Sequence, residues 1–207
     1  MVNVAAAVLC GGKGTRLRSV IGAHQKCVAE VGGRPWIHLV LDFLDEGGIR
    51  HAYLLTGYHA EEVEAAADAW EARIAMVVSF LRSKPSGTEA AIRFAFARTG
   101  EKRLLIVNGD TLVEGFDLRL FVTGCEMSRL AGDQRPFAVR GPNALSPSEE
   151  ADAGLYFRST ARPLSERIFL TQCPFLDIGT VEGLAEARRR YASVDGHPVQ
   201  WSGAFRG

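Results

Sequence analysis

Hydrophobic positions in the first half of the chain switch between two patterns. Residues 4–9 form an unbroken apolar run of strand length, and residues 51–56, 74–80 and 104–107 read the same way. Between these runs the period becomes helical. Ile37, Val40, Leu41 and Leu44 recur on one helical face after Pro35, and Gly47-Gly48 ends that helix near Asp45. Residues 60–72 and 86/87–98 predict two more helices, and residues 27–31 a short extended piece. Strand and helix thus alternate, which predicts a parallel sheet with helices on both faces. After Asp110 the pattern is looser. It predicts a helix over 117–130, strands over 135–140, 154–158 and 175–178, a turn-rich stretch over 141–148, and a last helix over 181–191. The expected fold is α/β, a single-domain Rossmann-like sandwich on a mixed, mostly parallel sheet. Ligands of such sheets sit at the carboxyl ends of the strands.

The first strand end carries the densest chemistry, Leu9-Cys10-Gly11-Gly12-Lys13-Gly14-Thr15-Arg16-Leu17, with Lys26 ten residues beyond Arg16. Glycines let a backbone turn sharply and approach a ligand closely, and successive N–H groups can then converge on phosphate oxygens. Arg16 and Lys26 add positive charge at the same place. Three better-known glycine motifs do not fit. A Walker A loop needs four residues between its first glycine and Gly-Lys-Ser/Thr, whereas Gly12-Lys13 is followed by Gly14. A dinucleotide fingerprint needs a third glycine where Leu17 stands. A kinase loop would come with His-Arg-Asp and Asp-Phe-Gly, and the chain has neither.

The loop resembles the signature of the sugar-1-phosphate nucleotidylyltransferases, Gly-Gly-x-Gly-Thr-Arg-Leu followed by a spaced lysine. Three further stretches are similar to landmarks of that family. Asn108-Gly109-Asp110-Thr111 looks like the turn that delivers a metal-binding aspartate, though alone it reads as a plain turn. Phe175-Leu176-Asp177-Ile178-Gly179-Thr180 looks like a second aspartate ahead of the final helix; by itself it is a strand end with an N-cap. Ser86-Gly87-Thr88-Glu89-Ala90-Ala91-Ile92 resembles the loop that approaches the base, in a version nearest the bacterial heptose-1-phosphate guanylyltransferases, and is also a good helix cap. Asp152-Ala153-Gly154-Leu155-Tyr156 resembles an Asn-Ala-Gly strand at the sugar site, with aspartate for asparagine.

What the resemblance implies is an enzyme that transfers a nucleotidyl group from a nucleoside triphosphate, GTP favoured, to a sugar 1-phosphate, releasing pyrophosphate with Mg²⁺. Arg16, Lys26 and Asp110 would be catalytic. Leu9, Gly11, Gly12, Lys13, Gly14, Thr15, Arg16, Gly87 and Asn108 would bind the nucleotide. Lys26, Asp152 and Gly154 would meet the acceptor, and Asp110 with Asp177 the metal. Residues 1–195 would form the catalytic domain, with a nucleotide half over 1–111, a reduced acceptor half over 112–180, and a tail over 196–207. The departures concentrate in the acceptor half. It is short, the family's Glu-Lys-Pro element is absent between Asp110 and Gly154, and Gln25 and Cys27 flank Lys26 where prolines are usual. Two alternatives therefore stay open, a nucleotide-binding module without catalysis and a cytidylyltransferase for a small non-sugar phosphate.

Composition narrows the partners. The chain has 207 residues, 47% apolar, with 24 basic and 24 acidic side chains. A balanced charge argues against a nucleic-acid or membrane-surface partner, and no apolar run reaches membrane-span length. Cys10, Cys27, Cys125 and Cys173 form no paired motif, so reduced thiols, a cytoplasmic setting and no signal peptide are expected. Cys10 reads as a small buried filler. His24, His38, His51, His59 and His197 have no ligand spacing, Trp36 and Trp70 read as core, and Arg188-Arg189-Arg190 as a solvated helix end. Dimers are common in the family it resembles, so a homodimer is carried as an expectation.

Overall fold

The computed structural model describes residues 4–70, 76–82, 87–130, 137–160 and 167–192. Ile74, Ser86, His197 and the tail over 196–207 lie outside the described residues. In chain order the elements are β1 Ala5–Cys10, a 3-10 turn Thr15–Leu17, α1 Arg18–Ile21, a second 3-10 turn Lys26–Val28, β2 Glu30–Val31 and β3 Arg34–Pro35. There follow α2 Trp36–Glu46, β4 His51–Thr56, α3 Ala60–Asp68, β5 Val77–Phe80, α4 Thr88–Thr99, β6 Arg103–Asn108 and β7 Thr111–Val113. The rest is α5 Leu118–Leu130, β8 Phe137–Asn143, β9 Ser146–Ser159, β10 Arg167–Leu170, β11 Phe175–Asp177 and α6 Val181–Arg190.

One sheet runs in the order β5-β4-β1-β6-β9-β8-β11-β7, with β10 beside β8. The strands from β5 to β6 are parallel, β9 is antiparallel to both its neighbours, and β10 and β11 run parallel to β8. The expected mixed, mostly parallel sheet is therefore present. Period-two alternation explains its layers. Ala6, Val8 and Cys10 of β1 and Leu105 and Val107 of β6 face a core shared with α2, α3, α5 and α6. Ala5, Ala7, Leu104 and Ile106 face the other side, against Ile92 and Ala95 of α4. Helices cover both faces, as the alternation predicts.

The second half differs from the sequence reading most clearly in its hairpin. The turn-rich stretch over 141–148 is mostly hairpin: β8 runs to Asn143 and β9 starts at Ser146. Only the connection turns, with Asn143 Oδ1 accepting from Leu145 N at 2.8 Å. Pro142 carries no N–H for the ladder, and the register shifts between Pro142 and Asn143. Turn residues and strand thus coincide, which the composition alone reads as loop. The short strands β7 and β10, and the 3-10 turn with α1 after the glycine loop, have no periodicity to announce them. Residues 27–31 split into a 3-10 turn and β2.

Trp36 is fully buried, as expected, and Trp70 donates to Asp42 Oδ1 at 2.9 Å. The arginines of α6 do more than cap a dipole. Arg188 Nε donates to Glu30 O at 3.0 Å, and Arg190 pairs with both Glu186 and Glu114. Among the described residues, no helix is long and apolar enough to cross a membrane.

Candidate active site

The glycine loop leaves β1 at the carboxyl edge of the sheet. It ends in a 3-10 turn closed by Leu17 N donating to Gly14 O at 2.9 Å, with Leu17 fully buried as its anchor. Gly14 has φ +57°, in the left-handed region, and a Cβ there would lie 3.3 Å from Lys26 Cβ. Only glycine allows both the turn and the close passage of the lysine stem. A cavity of about 810 Å³ opens beside the loop. Leu9, Gly11, Gly12, Lys13 and Lys26 line it, with Leu55–Tyr58 after β4, Gly87, Thr88 and Ala91 at the start of α4, and Asn108 and Asp110 after β6. Eight of the sequence-predicted site residues are thereby brought together around one space.

Gly109 is what lets Asp110 reach it. Its N–H donates to Leu9 O at 3.2 Å, and a Cβ at 109 would lie 2.8 Å from both Cys10 Sγ and Leu9 O. Asp110 then pairs with Lys26 Nζ through Oδ2. Asp177 arrives from the other end of the chain. β11 pairs antiparallel with β7, Asp177 opposite Thr111, and Ile178 N donates to Asp110 O at 2.9 Å. The two carboxylates converge at Gly179, where a methyl would lie 2.8 Å from Asp177 Oδ1 and 3.2 Å from Asp110 Oδ2. Gly179 N donates to Asp177 Oδ1 at 2.7 Å.

The electrostatics follow from that crowding. Burial, and next the Asp110 charge, push the Asp177 carboxyl above the usual carboxylate range, against the pull of the Gly179 N–H, Lys26 and Arg16. Burial works against the Lys26 ammonium, but Asp110, Cys27 and Asp177 together outweigh it, so the Lys26 pKa lies above its ordinary value. The pair Asp110–Asp177 is short of positive charge, and Lys26 supplies only part of it. Two neighbouring carboxylates, Asp110 lining the cavity and Asp177 beside it outside the lining, suit Mg²⁺, which takes one or two carboxylates and completes its shell with water and phosphate oxygens. Among the described residues no group of three or more histidine, cysteine or acidic side chains could hold a metal by itself.

Arg16 is exposed, outside the cavity lining, yet close enough to act on Asp177. Thr15 is likewise exposed at the start of the turn. Gly154, at φ +65°, is overlain by the Asn108 side chain, and its N–H donates to Asp152 Oδ1 at 2.8 Å. Asp152 and Gly154 thus stand one strand beyond Asn108, with one aspartate oxygen spent on its own backbone. Sequence reasoning noted Gln25 only as a departure beside Lys26, and passed over Thr56, Gly57 and Tyr58. Gly57, following directly on an apolar strand, was the available signal for the last three. The Tyr58 hydroxyl donates to Ala23 O at 3.2 Å, and Tyr58 N donates to Gly11 O at 3.3 Å.

Residues 6–129, more than half of the chain, match the MobA-like NTP transferase domain. The chain belongs to this family of MobA-like NTP transferases. It is 37% identical over 107 residues to the D-glycero-alpha-D-manno-heptose 1-phosphate guanylyltransferase of Aneurinibacillus thermoaerophilus, covering 52% of this chain and 46% of that protein. It is 28% identical over 169 residues to the mannose-1-phosphate guanylyltransferase of Mycobacterium tuberculosis, covering 80% of this chain and 47% of that one. The chain therefore spans about half the length of these relatives. HddC from Yersinia pseudotuberculosis, solved in complex with GMP-PN, shares its fold at TM-score 0.71 and 19% identity, over 91% of this chain and 99% of that one. The resemblance to sugar-1-phosphate nucleotidylyltransferases read from the loop agrees with these relatives.

The strand that carries Asp177 is braced by a glycine. α6 starts at the Thr180 cap, whose hydroxyl accepts from Gly183 N at 3.0 Å. A Cβ on Gly183 would run into the Asp177 carbonyl oxygen. In an open helix Gly→Ala stabilises by about 1 kcal/mol. Here Gly183→Ala should instead lower the melting temperature, because α6 must lift off the strand carrying Asp177. A raised melting temperature in calorimetry would refute this packing.

Proposed function

We propose that this chain is a Mg²⁺-dependent nucleotidylyltransferase that joins a nucleoside triphosphate, GTP favoured, to a sugar 1-phosphate and releases pyrophosphate. The observation that carries the reading is the convergence of Asp110, Asp177 and Lys26, with Arg16 near by, at the edge of a cavity floored by the glycine loop. A module that only bound nucleotide would have no use for two carboxylates held against each other at the cost of raising one pKa.

The chemistry asks for positioning and charge, not for a base. A phosphate monoester has a second pKa of about 6, so the acceptor arrives mostly as a dianion. Its oxygen attacks the α-phosphorus, the bond from that phosphorus to the bridging oxygen breaks, and pyrophosphate carries off the electron pair. The glycine-loop amides and Lys13 receive the β- and γ-phosphates, and Arg16 neutralises the leaving pyrophosphate. Lys26 holds charge beside the α-phosphate and the acceptor. Mg²⁺ at Asp110 and Asp177 would supply Lewis-acid polarisation of the phosphoryl oxygens. Asn108, lying over Gly154, links the nucleotide side to the acceptor strand with Asp152. The guanylyl preference rests on Gly87-Thr88-Glu89 and on the names of the relatives, as does a heptose or other unusual sugar as acceptor. A homodimer in the cytoplasm accompanies this reading.

The test is a grid of five nucleoside triphosphates against several sugar 1-phosphates, a heptose 1-phosphate among them, with phosphocholine added as a small non-sugar acceptor. Mg²⁺-dependent pyrophosphate release should appear in one region of the grid, with GTP in the best row. Turnover only with CTP and phosphocholine would replace the sugar reading. Nucleotide binding with a blank grid would leave a binding module.

A further inference from the structure

Gln25 stands next to Lys26 where the family it resembles carries proline, and its side chain is fully buried beneath the glycine loop. Every polar atom of its amide group is engaged there. Nε2 donates to Cys10 O, and to Gly12 O at 3.2 Å. Oε1 accepts from Cys27 N at 2.6 Å. The residue is also gripped from behind, since its backbone N–H donates to Glu62 Oε2 at 2.8 Å. Glu62 in turn meets His24 Nδ1 at 3.1 Å and His59 Nδ1 at 3.2 Å. Burial opposes ionisation of Glu62, but the Gln25 N–H and the two rings overcome it and hold the carboxyl below its usual range.

Peptide geometry turns these bonds into a statement about the loop. In a planar trans peptide the carbonyl of one residue and the N–H of the next point in opposite directions. Drawing Cys10 O towards Gln25 therefore turns the Gly11 N–H away from it. Drawing Gly12 O towards Gln25 does the same for the Lys13 N–H. Gly11, Gly12 and Lys13 all line the cavity, and the buried Gln25 does not. Glycine peptides rotate freely unless something holds them, and the two carbonyls between which Gly11 and Gly12 lie are the ones Gln25 holds. A proline at this position would stiffen the chain before Lys26 but offer the loop no donor.

We propose that Gln25 is a positioning residue that aims the Gly11 and Lys13 amides at the phosphates of the bound nucleotide. It touches no substrate itself. The proposal rests on the nucleotidyl reading of the cavity and adds to it the device that keeps the phosphate cradle in shape.

The test is equilibrium binding of GTP, GMP and inorganic tripolyphosphate, without acceptor, to the full chain and to Gln25→Leu and Gln25→Glu. Losing two loop hydrogen bonds should weaken GTP and tripolyphosphate about tenfold in Gln25→Leu, with GMP changed much less. The glutamate variant gives a signature that a structural role would not. Its ionised carboxylate would face two carbonyl oxygens and weaken GTP at neutral pH. As the pH falls, the neutral acid can accept from Cys27 N and donate to Cys10 O, so GTP affinity recovers towards that of the parent. Lys26, Glu62, His24, His59 and the Cys10 and Cys27 thiols surround the position in both proteins, so the parent at each pH is the reference. Unchanged GTP affinity in folded variants, or equal losses for GTP and GMP, would overturn the proposal. A parent that binds GMP but gains nothing from further phosphates would overturn it while leaving the cavity a nucleotide site. A parent that binds no nucleotide would remove the nucleotidyl reading as well.

Discussion

Asp110→Ala should lower Mg²⁺-dependent turnover by about three orders of magnitude or more while leaving the protein folded. Removing one preorganised group from a site where charge develops costs about 10²–10³ in rate, and Asp110 serves two such roles. It is half of the carboxylate pair, and it fixes the Lys26 ammonium through its ion pair. Its backbone is held independently, with Asp110 O accepting from Ile178 N at 2.9 Å, so the strand geometry survives the loss of the side chain. Lys26 would not be stranded either, because Asp177 already acts on it and can take over as its counter-ion. The loss should fall on kcat, with nucleotide affinity in the absence of Mg²⁺ nearly intact. Arg16→Ala should lose about 10²–10³ by the same reasoning, and its loss should ease when the leaving group carries less charge. Pyrophosphate release by purified variants, with a melting curve for each, decides the matter. Turnover of either variant within a few-fold of the parent would remove its residue from the chemistry.

The glycine-loop side of the candidate site was open to sequence reasoning because local rules specify it. An apolar run, three close glycines and two spaced cations must lie at the end of a strand, and the run from Leu9 to Gly14 does. The pairing of Asp110 with Asp177 was legible only through resemblance. Nothing in their spacing brings them together; an antiparallel contact between β7 and β11 does, and β7 is too short to have a period. The β8–β9 hairpin beyond Asn108 was less legible still. Pro142 and Asn143 read as turn because hairpin and turn share residues there, and the register shift beside them has no sequence signature. Gln25 was visible only as a departure. Glutamine at that position means nothing until the fold lays Cys10 O and Gly12 O over it.

The site should also show a conflict between stability and chemistry, and Asp177→Asn exposes it. Without metal, Asp177 is a half-buried carboxylate facing Asp110, and its pKa in the folded state lies above that in the unfolded chain. The sign of the effect on stability follows. Below the unfolded-state value both states are protonated and the group contributes nothing. As pH rises, the unfolded chain ionises first and stability is lost, until the folded-state value is passed and the penalty becomes constant. Asparagine removes that penalty and keeps an oxygen for the Gly179 N–H, which donates at 2.7 Å in the parent. Asp177→Asn should therefore melt above the parent at neutral pH in metal-free buffer, and the gap should close as the pH falls into the usual carboxylate range. Added Mg²⁺ should reverse the order, because a ion that binds only the folded state stabilises it by linkage, and asparagine supplies no second charge to bind it. Turnover should fall with the lost carboxylate even as the metal-free protein gains stability. A variant that melts below the parent in metal-free buffer at neutral pH would mean that the carboxylate pair is not a strained arrangement waiting for a cation. Lys26 would then already satisfy both aspartates, and the case for a metal between them would fall.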